Sequence, residues 1–396
     1  MEDSLLILHV SDTHLGHRQY GLYERERDVY EVFHEVVELA ERERVDAVVH
    51  AGDFFDSTRP PPQAYHHAIE GLRRLSARGI PVVVVPGDHD IPRRLVVPPL
   101  LVLENIGLLK VVGLRGNSKT LKLRTPRGRE ITILGVRNYK GHAARQRLLA
   151  ELRSFAARPH DTPSVIILHQ TLGEAAPNPE LYLGELPKGH SYYAMGHLHV
   201  AKVFQLGDAK VVYPGSTEAL RVDEAEVQQH RYVALAEITR TKTVSLNLVK
   251  LERARPQPVL KLRYRGLEEL KRELARFVAG AQSRPDAKKP LLHVRLEGVP
   301  PDAKNAVLQA LEGLRGRVLD YRPHISVART VQTRAGAVVS TLNIEELLKA
   351  YLGDEKLAAL AYELLEVLGS EKEADAVNQA QRIVEEVLIE GHSLDD

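Results

Sequence analysis

Short runs of β-branched and aliphatic residues recur through the first 250 positions, at Leu5–Val10, Ala47–His50, 82–85, 131–134 and 165–168. Apolar runs of this length, unrelieved by polar alternation, predict buried strands. Between the first three lie 24–44 and Pro62–Ala77, which predict amphipathic helices. Strand–helix–strand repetition of this kind predicts an α/β layered domain with at least some parallel pairing. After Gly196 the pattern changes to strands separated by short turns, at 201–205, 210–213 and 232–237, which predicts a β-meander.

The segment 253–258 carries two prolines and reads as a linker. Beyond it, 259–264 (strand), 267–278 (helix), 291–296 (strand), 302–311 (helix) and 317–327 (strand) predict a compact second module. A small and polar stretch, 330–340, reads as a second linker, and helices follow. Asn343-Ile344-Glu345-Glu346 matches an N-cap with a Glu three residues on. Asp354 caps a helix whose Leu357, Leu360, Leu364, Val367 and Leu368 keep the helical period, and Val377, Ile383, Val384, Val387 and Leu388 continue it in the last helix. The expected division is 1–252, 253–330, a linker at 331–342 and a helical segment at 343–396.

Charge sharpens this division. The whole chain carries 54 Lys+Arg against 53 Asp+Glu. Positions 251–330, however, hold 17 basic and 9 acidic residues, a net +8, whereas 341–396 hold 4 and 14, a net −10. A basic block before an acidic tail points to two different partners. The absence of Cys excludes disulfides, thiolate catalysis and Cys-ligated zinc or iron–sulfur centres, so any metal must be held by His and carboxylate. No apolar run approaches the ~20 residues of a membrane span, and the first residues lack a signal peptide's basic and apolar regions. A soluble, intracellular protein with no membrane partner is expected. Scarce Met and abundant Arg and Glu hint at a thermophile.

The strands matter because of the residues at their ends. The first ends in Ser11-Asp12-Thr13-His14, the second in Gly52-Asp53, and the third in Gly87-Asp88-His89-Asp90. The strand 165–168 runs into His169, and 192–195 into Gly196-His197-Leu198-His199. Ligand sites in open α/β sheets lie beyond the carboxyl ends of strands. Asp12, His14, Asp53, Asp88, His169, His197 and His199 are therefore expected to converge, with Gly52, Gly87 and Gly196 allowing close backbone approach. Seven O/N donors are too many for one tetrahedral zinc. They suit two ions sharing a bridging carboxylate, for which Asp53 is the candidate. Mixed carboxylate and imidazole ligands favour Mn²⁺, Fe²⁺ or Zn²⁺ over Mg²⁺ or Ca²⁺. Two such ions about 3.5–4 Å apart can clamp a phosphoryl group and activate a water. Taken singly, each residue is as readily a turn former or cap; the set of five strand ends carries the metal reading.

Asp12-Thr13-His14, Gly52-Asp53, Gly87-Asp88-His89-Asp90, His169 and Gly196-His197-Leu198-His199 resemble the five signatures of the calcineurin-like metallophosphoesterases. More narrowly, Ser11-Asp12-Thr13-His14-Leu15-Gly16, Ala51-Gly52-Asp53-Phe54-Phe55-Asp56 and Leu168-His169-Gln170 resemble the SbcD-type nuclease. That family is the nuclease subunit of the DNA double-strand-break repair complex, known in eukaryotes as meiotic recombination eleven. The resemblance covers roughly positions 5–216. It implies a layered α/β core of two mixed sheets flanked by helices, a small α/β capping domain and a C-terminal helical segment. It implies two Mn²⁺ ions, with Fe²⁺ or Zn²⁺ as the other candidates. It also implies 3′–5′ exonuclease activity on double-stranded DNA and endonuclease activity on single strands. A homodimer, an SbcC-like coiled-coil ABC-type ATPase partner and a cytoplasmic, nucleoid-associated location complete the expectation. The family's third signature usually reads Gly-Asn-His; Asp88 stands at the Asn position and adds negative charge beside an anionic substrate. His89 resembles the family's catalytic His. A positioned imidazole of this kind is worth about 10²–10⁴-fold, and Asp90 is expected to hold its ring.

A dimetal centre alone does not distinguish DNA from a phosphoprotein or a cyclic nucleotide. Arg263, Arg265, Lys271, Arg272, Arg276, Lys288, Lys289 and Arg295 in the basic module are expected to contact phosphates, as the family's capping domain does; an ion-paired, solvated surface is the alternative. His17, Arg18 and Tyr20 after the first signature and Arg59 after the second are candidates to touch the scissile phosphate or a stacked base, or else to cap helices. The apolar run 95–101 reads either as core or, with Pro62–Ala77, as a homodimer contact. The stripes of the acidic helices need something to bury against, either the core or, as the resemblance implies, the base of the ATPase coiled coil. Two other functions stay open: a general metallophosphoesterase or phosphatase on the same core, and a DNA-tethering scaffold whose metal site Asp88 has weakened.

Overall fold

The structure, a computed structural model, describes residues 4–92, 97–114, 119–140, 142–155, 161–177, 179–282, 288–327, 348–349 and 351–368. The chain forms two compact units, Met1–Ala328 and Arg329–Asp396.

The first unit begins with β1 (Leu5–Val10), α1 (Tyr23–Glu43), β2 (Ala47–His50), α2 (Pro62–Ala77), β3 (Val82–Val84), α3 (Pro99–Asn105) and β4 (Lys110–Val111). It continues through β5 (Thr120–Arg124), β6 (Glu130–Val136), α4 (His142–Arg153), β7 (Ser164–His169) and β8 (Tyr192–Gly196). Then come β9 (Lys202–Leu206), β10 (Ala209–Tyr213), α5 (Val222–Val227), β11 (Tyr232–Ile238) and β12 (Thr243–Lys250). These strands build two mixed six-stranded sheets, ordered β12-β11-β1-β2-β3-β4 and β5-β6-β7-β8-β10-β9. Pairing is parallel through β1-β2-β3-β4 and through β6-β7-β8-β10, and antiparallel at the flanks.

Period-2 alternation divides each strand between two cores. On β1, Leu5 and Ile7 join Val49, Val83, Ile133, Ile167 and Tyr192 in the layer between the sheets. Leu8 and Val10 face the other way, into a layer with Val29, Phe33, Val37, Leu72 and Leu100 from α1, α2 and α3. A third cluster, around Leu148, Leu152, Ile166, Leu168 and Met195, covers the outer face of the second sheet. Each fully buried Val, Leu or Ile contributes about 1.5–3 kcal/mol, so the two-sided burial read from unbroken apolar runs is what holds the central strands.

Two sequence expectations need correction. The strands after Gly196 are not one meander: β9–β10 pair within the second sheet, whereas β11–β12 pair within the first. The chain changes sheets between β10 and β11, through α5, and local alternation carries no information on which sheet a hairpin joins. The segment 253–258 is not a free linker either, because Arg255 and Gln257 are buried in it.

Beyond that segment, β13 (Val259–Arg263), α6 (Leu267–Gln282), β14 (Leu291–Val299), α7 (Lys304–Glu312) and β15 (Asp320–Val327) form a parallel three-stranded sheet with a core of Leu270, Leu274, Val294, Leu296, Val307 and Leu311. This cap is fastened to the core by a buried polar network. Asp28 on α1 accepts from Arg25 Nη1 (2.7 Å), Arg255 Nη2 (2.8 Å) and Lys288 Nζ (2.9 Å). Gln257 Nε2 donates to the Ala219 carbonyl at 2.6 Å, and His293 Nε2 on β14 lies 3.3 Å from Gln257 Oε1.

In the second unit, α8 (Glu355–Leu368) begins where Asp354 Oδ1 accepts the Leu357 N–H at 3.1 Å. The Asn343 capping sequence, the stretch 330–340 and the apolar set from Val377 to Leu388 lie outside the described residues. Of the run 95–101, Leu100 and Leu101 are core on α3, while Val97, and further along Val102 and Ile106, are exposed. Among the described residues no helix is long and apolar enough to cross a membrane.

Candidate metal centre

The loops after β1, β2, β3, β7 and β8 meet at one end of the two sheets. Donor atoms of Asp53, Asp88, His169 and His197 all lie within 4.8 Å of one another, as do those of Asp12, His14 and His199. Asp53 stands between the groups, with Oδ2 3.3 Å from His169 Nε2 and 3.6 Å from His14 Nε2. His14 Nε2 is also 3.3 Å from His199 Nε2, and Asp88 Oδ1 is 3.2 Å from His197 Nδ1. All seven expected ligands are thus brought together.

The local backbone is specialised for this convergence. Asp12, His14, Asp53 and His197 have positive φ of 53°, 45°, 52° and 86°, a region costly for non-glycine residues. Glycine is required where the loops touch: a Cβ on Gly87 would lie 2.1 Å from Asp53 Oδ1, and one on Gly196 would lie 1.8 Å from the Ala51 carbonyl oxygen.

Outer partners set the inward-facing atoms. His169 Nδ1–H donates to the Ala51 carbonyl at 2.7 Å, and His199 Nδ1–H to Glu224 Oε1 at 2.7 Å, which leaves each Nε2 turned to the centre. His14 Nδ1–H and His17 Nδ1–H donate to Asp56 Oδ1 at 3.2 and 3.0 Å. Such partners fix ring orientation in metal sites. Burial alone would push the Asp53 and Asp88 carboxyls up, but the adjacent imidazoles, with Lys140 beside Asp88, hold both well below the usual carboxylate range. Burial likewise opposes charge on His169, yet Asp53, Asp88 and Asp12 raise it well above the ordinary histidine value.

This donor set fits two divalent ions. Seven imidazole and carboxylate ligands fall into two adjacent groups, with the second ring nitrogens of His14, His169 and His199 tied outward and the Asp53 carboxylate 3.3 Å from His169 Nε2 and 3.6 Å from His14 Nε2.

His89 lies at the rim. Its N–H donates to Asp53 Oδ1 at 2.9 Å, and its ring Nδ1–H donates to the Asp56 carbonyl at 2.7 Å. The expectation that Asp90 holds this ring is corrected. The buried Asp90 carboxylate instead accepts the N–H groups of Phe54 (3.1 Å), Phe55 (3.0 Å) and Gly87 (3.0 Å), tying the loop after β2 to the loop after β3. A carboxylate one residue from His89 satisfies three backbone donors in preference to one ring.

The residues expected to bind substrate are placed variously. His17 is held by Asp56. The Arg18 guanidinium lies 3.9 Å over the Tyr23 ring and pairs with Glu26. Tyr20 turns toward the cap, with Arg322 4.2 Å over its ring. Arg59, Arg263, Arg265 and Arg272 are exposed. Lys288 pairs with Asp28 and Glu31 at 2.9 and 2.7 Å, Lys289 donates to the Gly316 carbonyl at 2.6 Å, and Arg295 pairs with Glu226 at 2.7 Å. Lys271 and Arg276 pair with Glu268 and Glu273 within α6.

Lys140, Glu224, Asp56 and Asn138 are site residues that the sequence pattern does not single out. Lys140 Nζ lies 2.7 Å from Asp88 Oδ2, and Asn138 Nδ2 donates to the His169 carbonyl at 2.8 Å. Glu224 at the start of α5 has one local signal, an acidic residue three positions beyond a helix entry: its Oε2 accepts the Leu220 N–H at 2.8 Å.

The calcineurin-like phosphoesterase superfamily domain model matches residues 5–241. The chain is 36% identical over 315 residues to the DNA double-strand break repair protein Mre11 of Sulfurisphaera tokodaii, covering 77% of this chain and 76% of that protein. To the protein of the same name from Sulfolobus acidocaldarius it is 32% identical over 348 residues, covering 85% and 88%. To that from Thermoplasma acidophilum it is 30% identical over 363 residues, covering 90% and 93%.

Proposed function

The chain belongs to the calcineurin-like phosphoesterase superfamily and, within it, to the Mre11 family, and from that premise we propose that it is a DNA double-strand-break repair nuclease. The observation that carries the proposal is the gathering of seven imidazole and carboxylate donors into two adjacent groups, with the Asp53 carboxylate of one group 3.6 Å from His14 Nε2 of the other.

Two divalent ions bound here, Mn²⁺ being the proposed pair, would supply Lewis acidity toward a phosphodiester and lower the pKa of a water so that it could attack at neutral pH. Asp12, His14 and His199 would hold one ion and Asp88, His169 and His197 the other, with Asp53 the carboxylate that would serve both. Glu224 and the Ala51 carbonyl keep the His199 and His169 rings oriented. His89, at the rim, donates a proton to the departing deoxyribose oxygen, its Nδ1–H fixed on the Asp56 carbonyl so that Nε2 is the atom that exchanges it. Burial disfavours charge on this ring, but Asp53, Asp88 and Asp56 raise it above the ordinary histidine value, as a proton donor requires. Lys140 offsets the extra charge of Asp88 in front of an anionic substrate.

The proposed activities are 3′–5′ exonuclease on duplex DNA and endonuclease on single strands. Exposed Arg59, Arg263, Arg265 and Arg272 are the proposed phosphate contacts. The exposed Val97, Val102 and Ile106 support a homodimer contact at α3, with α2 beside it. The acidic segment 343–396 is assigned to an SbcC-like ATPase, and the location to the cytoplasm, at the nucleoid. The ion pairing of most cap cations favours one second reading, a phosphoesterase that takes small esters without the cap.

Metal analysis combined with digestion of 3′- or 5′-labelled duplex under Mn²⁺ and Mg²⁺ tests the proposal. His89→Gln is expected to keep both ions and DNA affinity while cleavage falls about 10²–10⁴-fold, and Asp53→Ala to lose metal. Near wild-type cleavage by His89→Gln would refute its role. Small-ester turnover with no DNA cleavage would favour the second reading.

A further inference from the structure

A second cluster of ligand-type side chains lies between α1 and α2, away from the strand-end loops. His34 on α1 and His67 and Glu70 on α2 place donor atoms all within 4.8 Å of one another. His34 Nε2 is 3.0 Å from His67 Nδ1 and 3.7 Å from Glu70 Oε2. Donors sharing one tetrahedral ion at ~2.0–2.1 Å stand about 3.3 Å apart, so the two separations bracket the spacing an ion sets.

The helices are built to bring these groups together. His67 and Glu70 are three residues apart and share a face of α2. At the adjoining Gly71, a Cβ would lie 2.6 Å from Phe33 Cε1 and 3.0 Å from Val37 Cγ2. Glycine there lets α1 approach α2 closely enough for His34 to reach across. The Tyr30 ring stacks on the His67 ring at 4.2 Å and 24°, fixing the imidazole plane, while its hydroxyl donates to Glu26 Oε1 at 2.8 Å. Burial holds both imidazoles below the ordinary histidine value, which favours the neutral form a metal takes. Exposed His66, with Nε2 4.0 Å from Glu70 Oε2, stands at the open side.

We propose that His34, His67 and Glu70 form a third divalent-cation site, of the zinc class, that staples α1 to α2. Two imidazoles and a carboxylate leave one tetrahedral position for water or His66. The ion ties two helices that pack on the first sheet, so its role is to stabilise the fold. It stands independently of the proposed nuclease activity.

The test is zinc stoichiometry of the full-length chain, measured by competition with a chromophoric chelator, with thermal melting as a second readout. The wild-type chain is expected to take up one zinc equivalent more than His34→Ala or His67→Ala, and each variant to show a smaller zinc-induced rise in melting temperature, the remainder coming from the strand-end centre. In Asp53→Ala, which depletes the strand-end centre, the extra equivalent is expected to persist, so the two sites are read separately. Should the histidine variants misfold, Glu70→Gln at an exposed position decides: it is expected to weaken this equivalent by at least the ~10–100-fold that loss of an outer partner costs. Equal zinc uptake and affinity in the wild-type and Glu70→Gln chains would overturn the proposal, as would persistence of the extra equivalent in folded His67→Ala.

Discussion

Asp53 combines a ligand's chemistry with a backbone that disfavours it. At φ 52° any residue but glycine is strained, by about 1–3 kcal/mol. Asp53→Ala and Asp53→Gly both remove the carboxylate, so the difference between them isolates the strain. The glycine variant is expected to be the more stable by about 1 kcal/mol in guanidinium unfolding, reversing the usual order of alanine over glycine. A second residue-scale expectation concerns Asp88. With Lys140 Nζ 2.7 Å from its carboxylate, Lys140→Ala should weaken DNA binding several-fold in a salt-titrated assay. The same substitution should matter little alongside Asp88→Asn; equal losses in both backgrounds would mean that the lysine does not act through Asp88. The seven ligands were legible because each lies at or just beyond the end of an apolar strand. Lys140 and Glu224 were not, since a lone charged residue in a polar stretch looks the same whether or not the fold brings it to a ligand.

At the scale of elements, unbroken aliphatic runs exposed the central strands, but the margins were harder to read. β12 alternates weakly with only part-buried and exposed positions, and β5 carries Lys122 and Arg124 at exposed positions, as edge strands do. Sheet membership after Gly196 was illegible for a related reason: a hairpin's own pattern does not name its neighbour. Loop-to-loop ties are equally invisible in one dimension. Asp90 holds three backbone N–H groups from two loops, and Asp90→Ala would leave buried donors unpaired at roughly 1–3 kcal/mol each. The variant is expected to lower the unfolding midpoint and the bound metal together, whereas stability loss with full metal retention would show that the tie does not position the site.

For the molecule as a whole, the cap is joined to the core by buried polar groups rather than by a free tether. His293 sits in that seam, and burial, followed by the nearby His324, Arg322, Arg25 and Arg295, lowers it from 6.5 to about 4. A histidine whose folded value is depressed contributes stability that is present above its unfolded value and lost as pH falls toward the folded one. Between pH 7 and pH 5 the loss should be about 2 kcal/mol. His293→Gln should flatten that part of the pH–stability curve, read from denaturant midpoints; an unchanged slope would assign the acid sensitivity elsewhere.

The centre draws Asp12, Asp53 and Asp88 from the ends of one sheet and His169 and His197 from the ends of the other. Ions bound there act as rivets through the sandwich, so neither half can capture the pair alone. Chelation should therefore lower the temperature at which the sheets part, and on heating the ions should escape in the same narrow interval as the loss of secondary structure.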